Sequence, residues 1–448
     1  MNSYSQLNND HPEISPVDAS FQSIDVQKKL VVLVGLPARG KTYTGKRLAR
    51  YLNWVGIHTK LFNVGEYRRT HQKEEYTSHN FFSPENEDGV SIRNYAANLA
   101  LEDVSKWLKL ENNTVAILDA TNSTRERREK IISLSSTGSF GVIFIELICN
   151  DEDYIRKNIL EVKVDNPDYE KMDETAAVKD FMDRIQHYKS VYEPLSDELD
   201  KNLSFAKIIN RGEKFILNNI MDNLSTRIIY FLMNLRVFKR TIYITRHGES
   251  IHNLHGKIGG NSDLSQRGWL YAKKLTEYFT ELNLDDLIVF TSLMNRTKQT
   301  ARDIPCKSKK AWKILNEIDA GHCDSLTYKE IKKIFPQEYA RRNANKYSYR
   351  YPMGESYHDL INRIEPVMMS MARDKNLLIV CHQAVARCII GYFKEYEKEE
   401  IPHIKVPLHE IIKLTPTAYG CLSESIKFDM PIIDAEDNHS IEKISKTC

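Results

Sequence analysis

Gly35-Leu36-Pro37-Ala38-Arg39-Gly40-Lys41-Thr42 spaces two glycines, a lysine and a hydroxyl as GxxxxGKT, directly behind the apolar run that begins at Leu30. Such a loop lets main-chain N–H groups wrap a polyphosphate, and a helix starting behind it adds its positive end. Lys41 can reach β- and γ-phosphates, and the Thr42 hydroxyl can hold Mg²⁺. Asp119 ends a second apolar run at 115–118, where a carboxylate can bind Mg²⁺ indirectly, assist an attacking hydroxyl, or merely cap a turn. Arg68 and Arg69 follow another strand-like stretch, and Thr121, Arg125, Arg127 and Arg128 follow Asp119. They read either as solvated helix starts or as guanidinium forks for a phosphorylated acceptor.

A second set lies in the other half of the chain. Arg246-His247-Gly248-Glu249 follows the run TIYIT, and His382 follows LLIVC in the segment CHQAVAR. An unprotonated imidazole at a strand tip can attack phosphorus and form a phosphohistidine. Arg246 and Arg296 would neutralise the phosphoryl oxygens and lower the histidine pKa, while bound phosphate would act in the opposite sense. Glu317, in LNEIDAG, is either an ordinary capping or loop carboxylate or the general acid that protonates a departing oxygen. The stretch ARRNANKYSYRYPMGESY interleaves cations with aromatics, which suits a nucleic-acid strand or a sugar phosphate.

The elements that must position these residues alternate in period. Strands are predicted at 30–34, 58–62, 114–118, 142–147 and 205–209, with helices at about 41–54, 92–109, 124–134 and 175–190. A long helix is predicted from about 214 to 235. A second β-first unit then opens at Thr241, with helices at 265–281, 355–373 and 384–395 and strands at 287–290 and 377–381. Alternating strands and helices predict a mainly parallel α/β sheet in each half. Residues 1–28 read as a polar tail, 29–238 as one domain, 239–430 as a second, and 431–448 as a polar, charged tail.

The 448 residues allow two or three domains. Hydrophobic residues make up 41% and charged residues 28%, and 63 cations against 61 anions give a net +2. So even a balance argues against wholesale nucleic-acid or membrane binding. Seven cysteines without a CxxC pair argue for reduced thiols, no apolar stretch approaches the ~20 residues a spanning helix needs, and no leader pattern is seen, so the expected location is cytoplasmic. Ser15-Pro16 fits a proline-directed kinase site, and the Asn122-Ser-Thr sequon is discounted in a cytosolic loop.

GLPARGKTY, YLNW, FNVGEYRR, LDATNSTRERR and NPDY resemble the kinase half of the 6-phosphofructo-2-kinase/fructose-2,6-bisphosphatase family, and the similarity runs over residues 29–430. The resemblance implies a P-loop kinase domain followed by a histidine phosphatase domain of phosphoglycerate mutase-like fold. ATP would bind at Gly35 to Thr42, Tyr43, Asn158 and Lys163, with Mg²⁺ at Thr42. Fructose 6-phosphate would bind at Arg68, Arg93, Thr121, Arg127, Lys163, Arg184 and Tyr188, beside Asp119 and Cys149. Cys149 is alternatively a small buried hydrophobe. Fructose 2,6-bisphosphate would bind at Arg246, Asn253, Gly259, Arg296, Tyr328, Arg342, Lys346, Tyr357, Gln383 and Arg387, around His247, Glu317 and His382. A homodimer through the kinase halves is also implied. Asn261 departs from the family's usual Asp. The rival readings are a non-catalytic scaffold that senses sugar phosphate, which would lack Lys41, Asp119, His247 or Glu317, then dominance of one activity, and a nucleic-acid end-processing kinase–phosphatase. The last calls for a strong basic bias and an aspartate-based phosphatase motif, neither of which is found.

Overall fold

Lys29–Val34 (β1) is buried along its whole length, as a central strand covered on both faces must be. The computed structural model describes residues 28–71, 78–138, 140–165, 173–236, 240–371, 375–417 and 420–430. The predicted N-terminal tail apart from Lys28, the predicted C-terminal tail, Ser15-Pro16, the NPDY segment and most of the predicted domain junction lie outside them. In the first half β1 joins β2 (Thr59–Asn63), β3 (Val115–Asp119), β4 (Gly141–Ile148), β5 (Phe205–Ile209) and β6 (Lys214–Asn218) in the order β2-β3-β1-β4-β5-β6. All pairs are parallel except β5 with β6. Around the sheet lie α1 (Lys41–Trp54), α2 (Val64–His71), α3 (Glu87–Lys109), α4 (Arg125–Gly138), α5 (Glu152–Asp165), α6 (Glu174–Ser190) and α7 (Asn223–Asn234).

The expected helix from 214 to 235 is wrong in its first part. Asn210, Arg211 and Gly212 all take positive φ, turning the chain back so that Lys214–Asn218 pairs antiparallel with β5. Helix α7 starts only after Asp222, whose carboxylate caps Ser225 N. The apolar residues of KFILNNIM satisfy a helical stripe and a strand alternation alike, and the turn decides between them.

The second sheet runs β12-β11-β7-β10-β8-β9, from β7 (Thr241–Arg246), β8 (Ile288–Thr291), β9 (Ser308–Ala311), β10 (Asn376–Cys381), β11 (Glu410–Pro416) and β12 (Cys421–Lys427). β7 to β10 are mutually parallel, and β11 and β12 form an antiparallel hairpin against β7. Its helices are α8 (Ile251–Leu254), α9 (Gln266–Leu282), α10 (Asn295–Thr300), α11 (Tyr328–Ile334), α12 (Pro336–Ala344), α13 (Tyr357–Met371) and α14 (Gln383–Lys394). In each half the parallel strands end at one edge, which gathers their C-terminal tips and the loops beyond.

One apolar core runs through both halves. Tyr51 of α1 stacks on Phe231 of α7 with ring centroids 4.4 Å apart, and Trp54 Nε1 donates to Cys388 O of α14 at 3.0 Å. Each large side chain fully buried here stabilises the fold by ~1.5–3 kcal/mol. The P-loop helix is thereby seated directly on the helix that follows His382.

Candidate active sites

At the tip of β1 the chain turns through Gly35, where φ is 137° and a Cβ would stand 2.6 Å from Leu147 O, so only glycine is accommodated. Helix α1 starts at Lys41, which is buried, and its Nζ donates to Leu36 O at 2.7 Å. Burial lowers the Lys41 pKa to about 8, with Asp119 opposing the shift and Arg39 and Arg184 adding to it. The Thr42 hydroxyl donates to Asp119 Oδ2 at 2.7 Å, and Asn63 Nδ2 donates to the same oxygen at 2.7 Å. Asp119 is driven upward in pKa by burial, against the pull of Thr42, Lys41 and Asn63. Asn63 escaped the sequence reading. It is placed by register, since β2 sets it opposite Asp119.

Thr42 and Asp119 together offer adjacent hard oxygen donors. Among the described residues no cluster of three or more His, Cys, Asp or Glu forms a metal cage. The pair fits Mg²⁺, which keeps waters and phosphate oxygens and needs only one or two protein ligands.

A cavity of about 1670 Å³ opens over this edge. Arg68, Arg93, Arg127 and Arg184 line it, together with Thr121 and Tyr188. Three of these guanidiniums share one aromatic platform. Phe82, in the 3₁₀ turn His79–Phe82, has Arg184 3.7 Å, Arg68 5.1 Å and Arg93 6.0 Å from its ring centroid. Arg93 also donates to Phe81 O, and Arg127 Nη1 donates to Asn94 Oδ1 at 3.1 Å. Burial lowers the pKa of Arg93 and of Arg127. Cations desolvated in this way are set to receive an anion by charge-assisted hydrogen bonds. Phe82 was missed, although the doublet Phe81-Phe82 before a Pro was a visible signal.

The other expected residues divide. Pro37, Ala38, Gly40, Tyr43, Arg69 and Asn158 line the cavity, and Asn158 Nδ2 donates to Ala38 O at 3.0 Å, tying α5 to the phosphate loop. Gly35, Leu36 and Arg39 stand behind the lining, with Arg39 Nη1 bonded to Pro37 O at 2.9 Å. Cys149 packs with Ile155, Ile159 and Phe181 and does not face the cavity, the surroundings of a small buried hydrophobe. Lys163 lies on α5, and its side chain is outside the described residues. Arg128 and Arg125 are not free forks. Arg128 is buried and donates to Glu193 O at 2.9 Å and Asn122 O at 3.3 Å, and Arg125 pairs with Asp200 at 3.6 Å.

In the second half His247 follows β7 and His382 follows the neighbouring β10, so parallel pairing alone sets the two rings side by side, with centroids 5.1 Å apart. His247 Nδ1 lies 2.7 Å from Gly248 O, a carbonyl that can only accept. The ring proton therefore sits on Nδ1, and Nε2 keeps its lone pair, facing the Arg296 Nε–H at 3.0 Å. Burial, then Arg296 and Arg246, hold the His247 pKa well below its ordinary value. His382 is lowered likewise, first by burial, and its Nε2 meets Ser292 Oγ at 2.8 Å. Arg246 is buried and anchored on Val406 O at 2.9 Å, and Arg296 Nη1 donates to Gly260 O at 2.6 Å.

Glu317 Oε1 accepts from Ile318 N at 3.0 Å and Ala384 N at 3.2 Å. One carboxylate oxygen is thus pinned by two main-chain N–H groups. Gly259 has φ 65°, and a Cβ there would fall 1.6 Å from Asp324 Oδ1. Asn253 joins Ser250 in a capping box at the start of α8. Asn261 Oδ1 accepts from Asn295 N at 2.8 Å, at the start of the helix that carries Arg296. A carboxylate oxygen would make the same bond, so the departure from Asp leaves that contact in place.

The pocket enclosed here measures about 110 Å³ and is lined by Arg246, His247, Asn253, Gly259, Arg296 and Glu317 at one end. Tyr328, Arg342, Lys346, Tyr357, Gln383 and Arg387 line the rest. Arg342 donates to Tyr328 Oη at 2.8 Å and Tyr351 Oη at 2.9 Å, and Arg387 to Ile404 O at 2.7 Å and Tyr357 Oη at 3.2 Å. The sequence reading missed His252, Lys257, Tyr349 and Tyr351 in this lining. The two tyrosines were marked by the alternation in KYSYRY.

The 6-phosphofructo-2-kinase family model matches residues 17–239, and that of the histidine phosphatase superfamily (branch 1) matches residues 242–428. The rat protein 6-phosphofructo-2-kinase/fructose-2,6-bisphosphatase 3 is 48% identical over 412 residues, covering 92% of this chain and 74% of its own. The human protein of the same name is 50% identical over 398 residues, covering 89% and 76%. Human 6-phosphofructo-2-kinase/fructose-2,6-bisphosphatase 4 is 48% identical over 405 residues, covering 90% and 86%. With both catalytic units matched in one chain and close relatives aligned along nearly all of it, the chain belongs to the bifunctional 6-phosphofructo-2-kinase/fructose-2,6-bisphosphatase family.

Proposed function

We propose that this chain makes and destroys fructose 2,6-bisphosphate at two separate sites, and so sets the level of a glycolytic signal. The kinase site moves the γ-phosphoryl group of ATP onto the 2-hydroxyl of fructose 6-phosphate. Main-chain N–H groups of the Ala38–Thr42 turn and the Lys41 ammonium bind the polyphosphate. Thr42 and Asp119 would hold Mg²⁺, which neutralises charge on the transferring group. Arg68, Arg93, Arg127 and Arg184 fix the sugar phosphate so that its hydroxyl faces Asp119.

At the phosphatase site His247 Nε2 attacks the 2-phosphoryl phosphorus, the bond to the sugar oxygen breaks, and Glu317 gives that oxygen its proton. Arg246, Arg296 and His382 take up the charge on the equatorial oxygens. Water then attacks the phosphohistidine, its proton passes to Glu317, and phosphate leaves. Arg342, Lys346 and Arg387 hold the remote 6-phosphate. The observation that carries this reading is the tautomer of His247, whose proton lies on the nitrogen away from Arg296.

A cytoplasmic homodimer joined through the kinase halves completes the proposal. Its support is the sheet edge at β6, where Leu217 is 46% exposed and nearby Met221 87% exposed. The test assays purified protein with fructose 6-phosphate plus ATP and, separately, with fructose 2,6-bisphosphate. Both turnovers are expected, and Lys41→Met should remove only the first. Failure of the wild-type protein in either assay, or equal loss of both in the variant, contradicts two independent sites.

A further inference from the structure

Away from both sets of reacting atoms, α1 meets the second half along a seam crowded with cations. Arg47 and Arg50 stand three residues apart on one face of α1, both buried, and Arg240 enters from the residue before β7. Lys394 closes α14 beside them. Each of the three guanidiniums lies over an aromatic ring. Arg47 is 5.2 Å from the Tyr43 ring, Arg50 is 6.0 Å from Tyr392, and Arg240 is 6.0 Å from Phe393, whose ring is 5.0 Å from that of Tyr392. Burial raises the pKa of the Cys421 thiol against the combined pull of Arg50, Arg47, Lys394 and Arg240. Burial also lowers Arg240, with Arg47 adding to the shift.

The polar partners of this cluster are few. Arg47 Nη2 donates to Thr417 O at 2.7 Å, and Arg240 Nη1 to Met371 O at 3.4 Å. Arg50 Nη2 pairs with Glu395, the one carboxylate bonded to any of the three arginines among the described residues, and that side chain is 55% exposed. Among the described residues, Arg50 Nε and Nη1 are buried without a hydrogen-bond partner. Three arginines, with Lys394 beside them, thus face one half-solvated anion. Aromatic faces offset such burial by only ~0.5–2 kcal/mol each, and a buried guanidinium N–H without an acceptor is costly. Arg47 and Arg240 also line the large cavity beside Thr415, Pro416 and Leu422, so these two arginines are reachable from solvent.

We infer that this seam is a third anion site, which takes a small tetrahedral dianion such as inorganic phosphate or a phosphoryl group. It is separate from the phosphate loop, because Arg47 lies six residues beyond Lys41, or ~9 Å along the helix. None of Arg47, Arg50 and Arg240 is placed in either reaction, so the site goes beyond the proposed function. Its position matters because α1 begins at the phosphate loop and α14 begins directly after His382. A dianion bound by Arg47, Arg50 and Arg240 closes the seam between the two helices that start at the two reacting centres.

The test uses the full chain, ADP to fill the phosphate loop, and tungstate as a dianion of phosphate's shape. Crystals soaked in tungstate should show an anomalous peak within hydrogen-bond reach of Arg47, Arg50 and Arg240. That peak should vanish in Arg50→Gln/Arg240→Gln while any peak beside His247 persists. In solution, phosphate binding at this site, followed by thermal shift with ADP present, should weaken ~10-fold or more in the double variant, as loss of charge-assisted bonds requires. In phosphate-free buffer Arg240→Gln alone should melt no lower than the wild type, because like charges have been relieved. Tungstate confined to the phosphate loop and the His247 pocket, an unchanged phosphate response, or a destabilised Arg240→Gln in phosphate-free buffer would each overturn the inference. Since the readout is anion binding, these results stand apart from success or failure of either activity assay.

Discussion

Glu317→Gln separates acid–base chemistry from architecture. Gln keeps an Oε1 that can accept from Ile318 N and Ala384 N, the two bonds that hold the carboxylate at 3.0 and 3.2 Å. What it removes is the second oxygen, the one that carries the proton in the proposed mechanism. General acid–base help of this kind is worth ~10²–10⁴-fold, or ~2.7–5.4 kcal/mol of barrier. Bisphosphatase kcat should therefore fall by that factor, with kinase turnover and melting temperature close to wild type. The assay is steady-state release of phosphate from fructose 2,6-bisphosphate, run beside the 2-kinase reaction on the same preparation. A single-turnover quench adds a second reading, since a phosphoenzyme should persist if attack outpaces hydrolysis. A fall below tenfold, or a parallel loss of kinase activity, refutes the reasoning.

Arg342→Ala should raise the bisphosphatase KM far more than it lowers kcat, because a clamp on the remote phosphate binds ground and transition states alike; a pure kcat defect in steady-state kinetics contradicts the assignment. Lys41, charged only below its pKa of about 8 in the free protein, should make kinase kcat/KM for ATP decline as pH rises through about 8, and a flat profile to pH 10 counts against it. His247, His382 and His409 are buried with lowered pKa values, His409 to about 4, so each is held neutral by the fold. Their contribution to stability is whole above pH 6.5 and is lost as pH falls towards their folded values. For His409 alone this is about 3 kcal/mol by pH 4, and denaturant titrations from pH 7 to 4 should show it; stability constant across that range denies it.

Much of this was legible because it is local. GxxxxGKT behind LVVLV, and histidines behind TIYIT and LLIVC, place their side chains by one strand and one turn each. Parallel pairing then delivers Asp119 to Thr42 and His382 to His247 without further information. Asn63 and Ser292 were not legible, since each acts through a partner 56 residues or more away in sequence. For the same reason Arg128, which read as a solvated helix start or a fork, proved to be a brace, its acceptors Asn122 O and Glu193 O being main-chain groups invisible to composition. The strand at Lys214–Asn218 was lost to an ambiguous apolar pattern that only the preceding left-handed turn resolves.

The most direct test of the central claim is to find the phosphoryl group on the protein. Fructose 2,6-bisphosphate carrying ³²P at the 2-position is mixed with the full chain for less than one turnover and quenched in alkali, and labelled peptides are mapped. A phosphoramidate is stable in base and labile in acid, unlike phosphoserine. The geometry of His247 Nε2, with its proton held on Nδ1 by Gly248 O, predicts base-stable label on His247 that His247→Ala abolishes. Label on a serine or a carboxylate, or no phosphoenzyme in a quench fast enough to catch a single turnover, would contradict the account.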